Sequence, residues 1–217
     1  MNAPEVETPQ QQRGRPRSTR IDDAVIAATR AILDEKGYWE ISVEAVARAA
    51  GTSKPAVYRR WSGRPDLVLA ALADRLDVPS PPDTGCTLCD IDESFGIFLG
   101  AYRTIRPESL GSLYAECAQD PELRARFTRT LVEPARNAVA RSLDRAIRRG
   151  DLRENVDREL LLDLVASLVH YRALFGPEHL GPEDAGGALE ILMQGAAADY
   201  AGLLAHSEQL EHQHEHA

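Results

Sequence analysis

The sequence is short of what a membrane protein, a secreted scaffold or an enzyme would need. None of its apolar runs approaches the roughly 18 residues of a membrane-spanning helix. Sustained period-two alternation bounded by turn signals is absent, which argues against strands. Cysteine is scarce. The three present, Cys86, Cys89 and Cys117, cannot all pair within one chain, and they suit a reducing compartment. The first residues are polar and acidic without an apolar signal segment, so a cytoplasmic location is expected. No Ser/His/Asp spacing, phosphate loop or paired carboxylate in a defined context offers a catalytic constellation, so no enzyme is expected. Cys86-Thr87-Leu88-Cys89 is a C-x-x-C pair, read here as a pair without function, the alternative being a redox switch. Only Cys117, His170 and His179 lie outside the tail to complete a metal site, and none has ligand spacing. The tail histidines His206, His212, His214 and His216 belong to a polar end. No metal and no cofactor are expected.

What is present is charge, unevenly placed, and helical periodicity. The 217 residues, 43% of them hydrophobic, are enough for a buried core, and the net charge is -9. Residues 1–75 hold 12 Lys+Arg against 10 Asp+Glu, a net +2, and the remainder holds 13 against 24, a net -11. Arg13, Arg15, Arg17 and Arg20 form one basic cluster; Lys54, Arg59, Arg60 and Arg64 form another. A local basic face can meet phosphate while an acidic body repels non-productive approach.

Residues 1–18 have little to bury and read as a flexible arm. From Ile21 to Lys36, apolar residues recur at helical spacing, and Gly37 ends the run. Ser42 is placed to cap a short helix carrying Val43, Val46, Ala47 and Ala50. After Gly51, Ser53 is placed to cap a second, with Pro55 in its first turn, running to about Trp61. Pro65 opens a fourth helix to about Leu76. A linker rich in proline follows over 77–86. Beyond it only helical patterns occur, over about 89–105, 108–117, 121–149, 157–175 and 183–205, and residues 206–217 read as a disordered tail. Pro134, inside the long 121–149 pattern, predicts a kink. The expected fold is therefore all-α, with about nine helices: an N-terminal unit over 19–76 and a helical body over 77–205.

The segment 42–61 is two short helices joined by a tight turn, a helix-turn-helix whose second helix fits a DNA major groove about 12 Å wide. Val46, Ala47, Ala50, Val57 and Trp61 supply an apolar underside. Thr52, Ser53, Lys54, Ala56, Arg59 and Arg60 are left for DNA. The stretch ISVEAVARAAGTSKPAVYRRWSGRPDLVLAAL, residues 41–72, with ATRAILDEKGYWEIS before it, resembles the DNA-binding domain of the TetR family of bacterial transcriptional regulators. The likeness is specific over about residues 20–75. Beyond them it rests on helix number, helix lengths and the Gly150-Asp151-Leu152-Arg153 turn.

The resemblance implies a regulator, by family habit a repressor, that binds a palindromic operator as a homodimer and is released by a small molecule. It implies that Thr52, Ser53 and Lys54 contact phosphates or base edges, and that Tyr58 and Arg64 contact phosphates. It places Ser42 and Ala56 beside them, and either Arg59 or Arg60 against guanine. Tyr58 has a second reading, as a core residue. Thr52 and Gly63 depart from the family pattern of valine and serine. Arg15 and Arg17, within Arg13-Gly14-Arg15-Pro16-Arg17, resemble the core of an AT-hook and suit a narrow minor groove, the alternative being a solvated leader.

In the body the resemblance implies a ligand cavity among the middle helices. Its candidates are Phe95, Phe98, Tyr102, Leu113, Tyr114, Cys117, Phe127, Leu131, His170 and Tyr171. It also implies a dimer interface on the last two long helices, through Leu160, Leu164, Leu168, Leu192, Ala196 and Leu203. The rival from another class is a helical dimeric protein–protein adaptor without sequence-specific DNA binding. Lys54, Tyr58 and Arg64 together argue against it.

Overall fold

Four helices and a 3-10 turn make up the described N-terminal part, and seven helices the rest, in a computed structural model that describes residues 16–76, 80–176 and 180–215. Two compact units divide between Ala71 and Leu72.

In the first unit α1 spans Pro16–Lys36, a 3-10 turn Tyr38–Glu40, α2 Val43–Ala49 and α3 Lys54–Tyr58; α4, Arg64–Ala73, runs across the division. Residues 16–18, expected in the arm, are helical. The Ser42 hydroxyl accepts from the Ala45 N–H at 3.1 Å, and Ser53 accepts from the Ala56 N–H at 3.4 Å. Each satisfies one of the donors that a helix start leaves unpaired. Between the two helices Gly51 takes φ 64°, a left-handed conformation that costs glycine nothing. That tight turn sets the approach of α3 to α2. The core beneath is Val25, Val46, Val57, Trp61, Leu67 and Val68, each under one-tenth exposed.

In the second unit α5 is Thr87–Thr104, α6 Pro107–Cys117, α7 Pro121–Phe127, α8 Glu133–Arg149, α9 Arg158–Phe175, α10 Pro182–Ala196 and α11 Tyr200–Glu215. Phe95, Leu143, Leu162, Val165, Val169 and Met193 centre one continuous core. Asp120 caps α7 and Asp157 caps α9, each carboxylate accepting two backbone N–H groups.

Three expectations are corrected here. The kink expected at Pro134 takes the form of a π turn, Thr128–Val132, that joins α7 to α8. Proline has no N–H and crowds the carbonyl four residues back. The widened turn avoids that clash, and the Glu133 N–H bonds to the Thr128 carbonyl, five residues back. The single helix expected over 183–205 breaks at Ala197, which is extended and forms an isolated antiparallel bridge with Leu152. The Arg153 N–H bonds to the Ala196 carbonyl at 2.9 Å, and its guanidinium donates to the carbonyls of Ala197 and Gln194. The end of α10 is thus capped from another part of the chain. Finally, the expected disordered tail is helical through Glu215.

Cys86 and Cys89 are joined as a disulfide, a departure from the reduced state expected of the cysteines, and Cys117 is buried outside it. Among the described residues, no helix is long and apolar enough to cross a membrane.

Candidate nucleic-acid interface and apolar cavity

A helix of five residues has only one face to hide and one to show. In α3, Ala56 and Val57 are buried, whereas Ser53, Lys54, Tyr58 and, at its end, Arg59 are exposed. Tyr58 is 57% exposed, so its reading as a core residue does not hold. Thr52 is half-buried, and its N–H bonds to the Ala47 carbonyl, which holds the turn. Ala56, expected on the exposed face, is turned inward at 5% exposure.

Lys54 donates to Glu44 on α2 at 2.6 Å, and this contact holds the exposed Glu44 carboxyl below its ordinary range. An exposed pair of this kind contributes little to stability. Lys54 can therefore exchange the carboxylate for a phosphate at small cost.

Arg60 differs from Arg59. Its guanidinium pairs with Asp22 on α1 and donates to the Ala56 carbonyl at 3.1 Å. It ties α3 to α1, whereas Arg59 is left exposed. Replacement of Arg59 by alanine is expected to weaken duplex binding about tenfold and to relax base preference at one position. Replacement of Arg60 is expected to cost about 1–2 kcal/mol of stability and to leave base preference unchanged. Thermal melts and binding isotherms separate the two. A changed base preference with unchanged stability in Arg60→Ala would reverse this assignment.

Arg64 opens α4 between two rings, its guanidinium carbon 5.3 Å from the Tyr38 centroid and 4.8 Å from that of Trp39. It also donates to the Trp39 carbonyl at 3.4 Å. Stacking fixes the side chain with its charge intact. Trp39 is 65% exposed beside it. The sequence reading passed over Trp39, although a tryptophan just before the Ser42 cap was the available signal. Gly63 brings no capping oxygen; the buried Asp66 carboxylate accepts from the Ser62 N–H at 2.9 Å instead. Arg15 lies outside the described residues, and the Arg17 side chain is likewise not described.

The second unit holds a cavity of about 290 Å³. Of the ten expected residues, Tyr102, Tyr114, Phe127, Leu131 and His170 line it. Phe95, Leu113 and Cys117 do not; all three are buried at 1% exposure or less and serve packing. Phe98 is also absent from the lining, its ring set against His170 with centroids 6.1 Å apart. Tyr171 is 62% exposed and absent from the lining. Leu110, also on the middle helices, completes the wall together with Leu76, Ile105, Gly111, Val132 and Leu174, which were not anticipated. Leu110 and Gly111 lie within α6; the others sit at or just past helix ends or in the π turn, where spacing alone does not fix direction.

Two polar residues stand in this apolar lining. The Tyr102 hydroxyl is buried without a hydrogen-bond partner among the described residues, and burial pushes its pKa up to about 12. His170 Nδ1 lies 2.6 Å from the Ala166 carbonyl, which can only accept, so Nδ1 carries the proton. In the neutral ring, Nε2 is then an acceptor.

On α9, Leu160 and Leu164 are 56% and 46% exposed, and Tyr171 and Phe175 continue the apolar stripe. Ile191 adds 76% exposure on α10. Leu168, Leu192 and Leu203 are half-buried against the core. Ala196, expected on the interface, is buried at 6%.

Comparison with known proteins bears on both units. Residues 25–71 match the model for bacterial regulatory proteins of the tetR family, and residues 81–192 match that for the tetracyclin repressor-like C-terminal domain. The chain is 33% identical over 173 residues to the HTH-type transcriptional regulator YdeS of Bacillus subtilis, covering 76% of this chain and 84% of that protein. It is 32% identical over 158 residues to the DNA-binding transcriptional repressor TetR of Mycobacteroides abscessus, covering 71% and 83%. Among solved structures, the TetR family transcription regulator SCO0332 superposes with a TM-score of 0.62 at 25% identity, over 81% of this chain and 98% of that one.

Proposed function

The chain belongs to the TetR family of bacterial transcriptional regulators, and from that membership we propose that it is a homodimeric repressor that leaves a palindromic operator when a small molecule fills the apolar cavity. The observation that carries the DNA half of this reading is α3, whose buried side is Ala56 and Val57 and whose exposed side is Ser53, Lys54, Tyr58 and Arg59. Its polar face enters the major groove. Tyr58, Lys54 and the stacked Arg64 take phosphates, and Ser42 and Thr52 stand beside them. Arg59 reaches a base edge, where a bidentate contact to guanine discriminates by roughly 1–3 kcal/mol.

One such unit reads few bases. Two, related by a two-fold axis, read half-sites about 34–36 Å apart. The apolar stripe of Leu160, Leu164, Tyr171 and Phe175 is the face that we assign to the partner protomer. Leu168, Leu192 and Leu203 support it from behind.

The effector acts by population shift. It binds more tightly to a dimer whose recognition helices are misplaced for the operator, and DNA affinity falls by the same coupling factor. Leu76 lies in the cavity wall just beyond α4, the helix that begins with Arg64, which gives the ligand a direct covalent route to a phosphate contact. Such a regulator works in the cytoplasm.

The test is selection of bound sequences from random duplex DNA at physiological salt. A palindromic motif with that half-site spacing is the expected result. Salt-sensitive binding without a motif would favour the adaptor.

A further inference from the structure

The cavity has a chemistry as well as a volume. We propose that its ligand is a neutral aromatic of about two fused rings bearing a hydroxyl that accepts a hydrogen bond from Tyr102 and donates one to His170 Nε2. The proposal rests on the reading of this cavity as the effector site.

Size sets the first limit. A dry cavity of about 150 Å³ holds benzene, and this one is about 290 Å³. Charge sets the second. None of the residues lining it is Lys, Arg, Asp or Glu. An anion or a cation would leave water without a counter-charge.

The polar groups set the third limit. Tyr102 is 5% exposed, and its hydroxyl is unpartnered among the described residues, a state that buried polar groups rarely keep. Its raised pKa keeps it a proton donor at physiological pH. His170 presents the opposite capacity, because the Ala166 carbonyl fixes the proton on Nδ1. The two rings meet edge to face with centroids 5.6 Å apart. A phenolic oxygen both donates and accepts, so a single atom on the ligand serves the two side chains. Tyr114 and Phe127, also in the lining, pack edge to face at 5.5 Å and offer aromatic surface to the ring system.

The full-length protein is titrated with 2-naphthol, naphthalene and 2-naphthoate. We expect 2-naphthol to bind about ten- to a hundredfold more tightly than naphthalene, since naphthalene leaves both polar groups unpaired. 2-Naphthoate should bind most weakly. Tyr102→Phe and His170→Leu should each bring 2-naphthol down towards naphthalene while naphthalene binding persists, which also shows that the variants are folded. Gly111→Leu, at a helical position where an added Cβ meets nothing within 4 Å, should fill the cavity and abolish binding of both.

Equal affinity for 2-naphthol and naphthalene, or tightest binding of 2-naphthoate, overturns the ligand class and leaves the cavity as the effector site. Binding unaffected by Gly111→Leu, or no binding of any probe, overturns the cavity reading and the ligand class together.

Discussion

Introducing glutamate at both Leu160 and Leu164 is expected to convert the proposed dimer into monomers and to remove operator binding at concentrations where the parent saturates it. The two leucines are 56% and 46% exposed one helical turn apart on α9, and they are the start of the apolar stripe. On a two-fold interface each substitution occurs twice, so four carboxylates would be buried without partners. An unpaired buried charge costs several kcal/mol even after relaxation. The nearby Glu159 and Asp163 already occupy Arg136, which is therefore poorly placed to neutralise the newcomers. The dimer dissociation constant should rise by at least about a thousandfold. Operator binding should fall to the level of one helix-turn-helix unit, near the roughly 10⁻⁴–10⁻⁶ M of non-specific contacts. Sedimentation equilibrium reads the first effect and binding isotherms the second. A variant that stays dimeric at micromolar concentration would place the interface elsewhere. Monomers with undiminished operator affinity would instead detach DNA reading from dimerisation.

The second large effect lies in the core. Phe95→Ala should destabilise the second unit by about 3–5 kcal/mol, the range for removing a buried phenylalanine, and lower its melting midpoint by on the order of 10 °C. Phe95 is 1% exposed at the centre of the continuous core and does not reach the cavity. Tyr114 is 52% exposed and does line the cavity. Tyr114→Ala should change stability by less than about 1 kcal/mol and change the response to ligand instead. Denaturant unfolding of both variants decides the matter. A mild effect of Phe95→Ala alongside a severe one of Tyr114→Ala would mean that the packing has been read the wrong way round.

That pair of residues also marks where sequence reasoning reached its limit. Phe95 and Tyr114 belong to the same aromatic set at helical spacing. Spacing identifies the face of a helix that is hidden but not whether a cavity or another side chain lies opposite. The helix-turn-helix was far more legible. Ser42, Gly51, Ser53 and Pro55 are local signals whose effects are complete within a few residues. Its errors arose where the signal was thin. Ala56 is too small to declare a side, and five residues of α3 give periodicity little purchase. The pairing of Arg60 with Asp22, which sets it apart from Arg59, was not legible because Asp22 lies far away in sequence.

The break at Ala197 had only thin local signs, Gly195 two residues before it and Asp199 two after it. It is imposed by the chain around Leu152, more than forty positions earlier: the Arg153 N–H donates to the Ala196 carbonyl and the Asp151 carbonyl accepts from the Ala198 N–H. The dimer candidates divided in the same way. Leu160 and Leu164 are exposed and Ala196 is buried, because the break that ends α10 also turns Ala196 into the core.

The π turn at Thr128–Val132 has a consequence for how this cavity changes over generations. A π turn is in effect one residue inserted into an α-helix, and each residue of an α-helix advances the phase by about 100°. Two of its members, Leu131 and Val132, stand in the cavity wall. Loss of a single codon in this stretch would rewind the helix and swing those side chains off the wall in one step. The buried face of α8 beyond it, Ala138, Val139, Ser142, Leu143 and Ala146, is held by the core and can keep its own phase. Ligand preference in such a lineage can therefore jump by a change in length as well as drift by exchange of side chains.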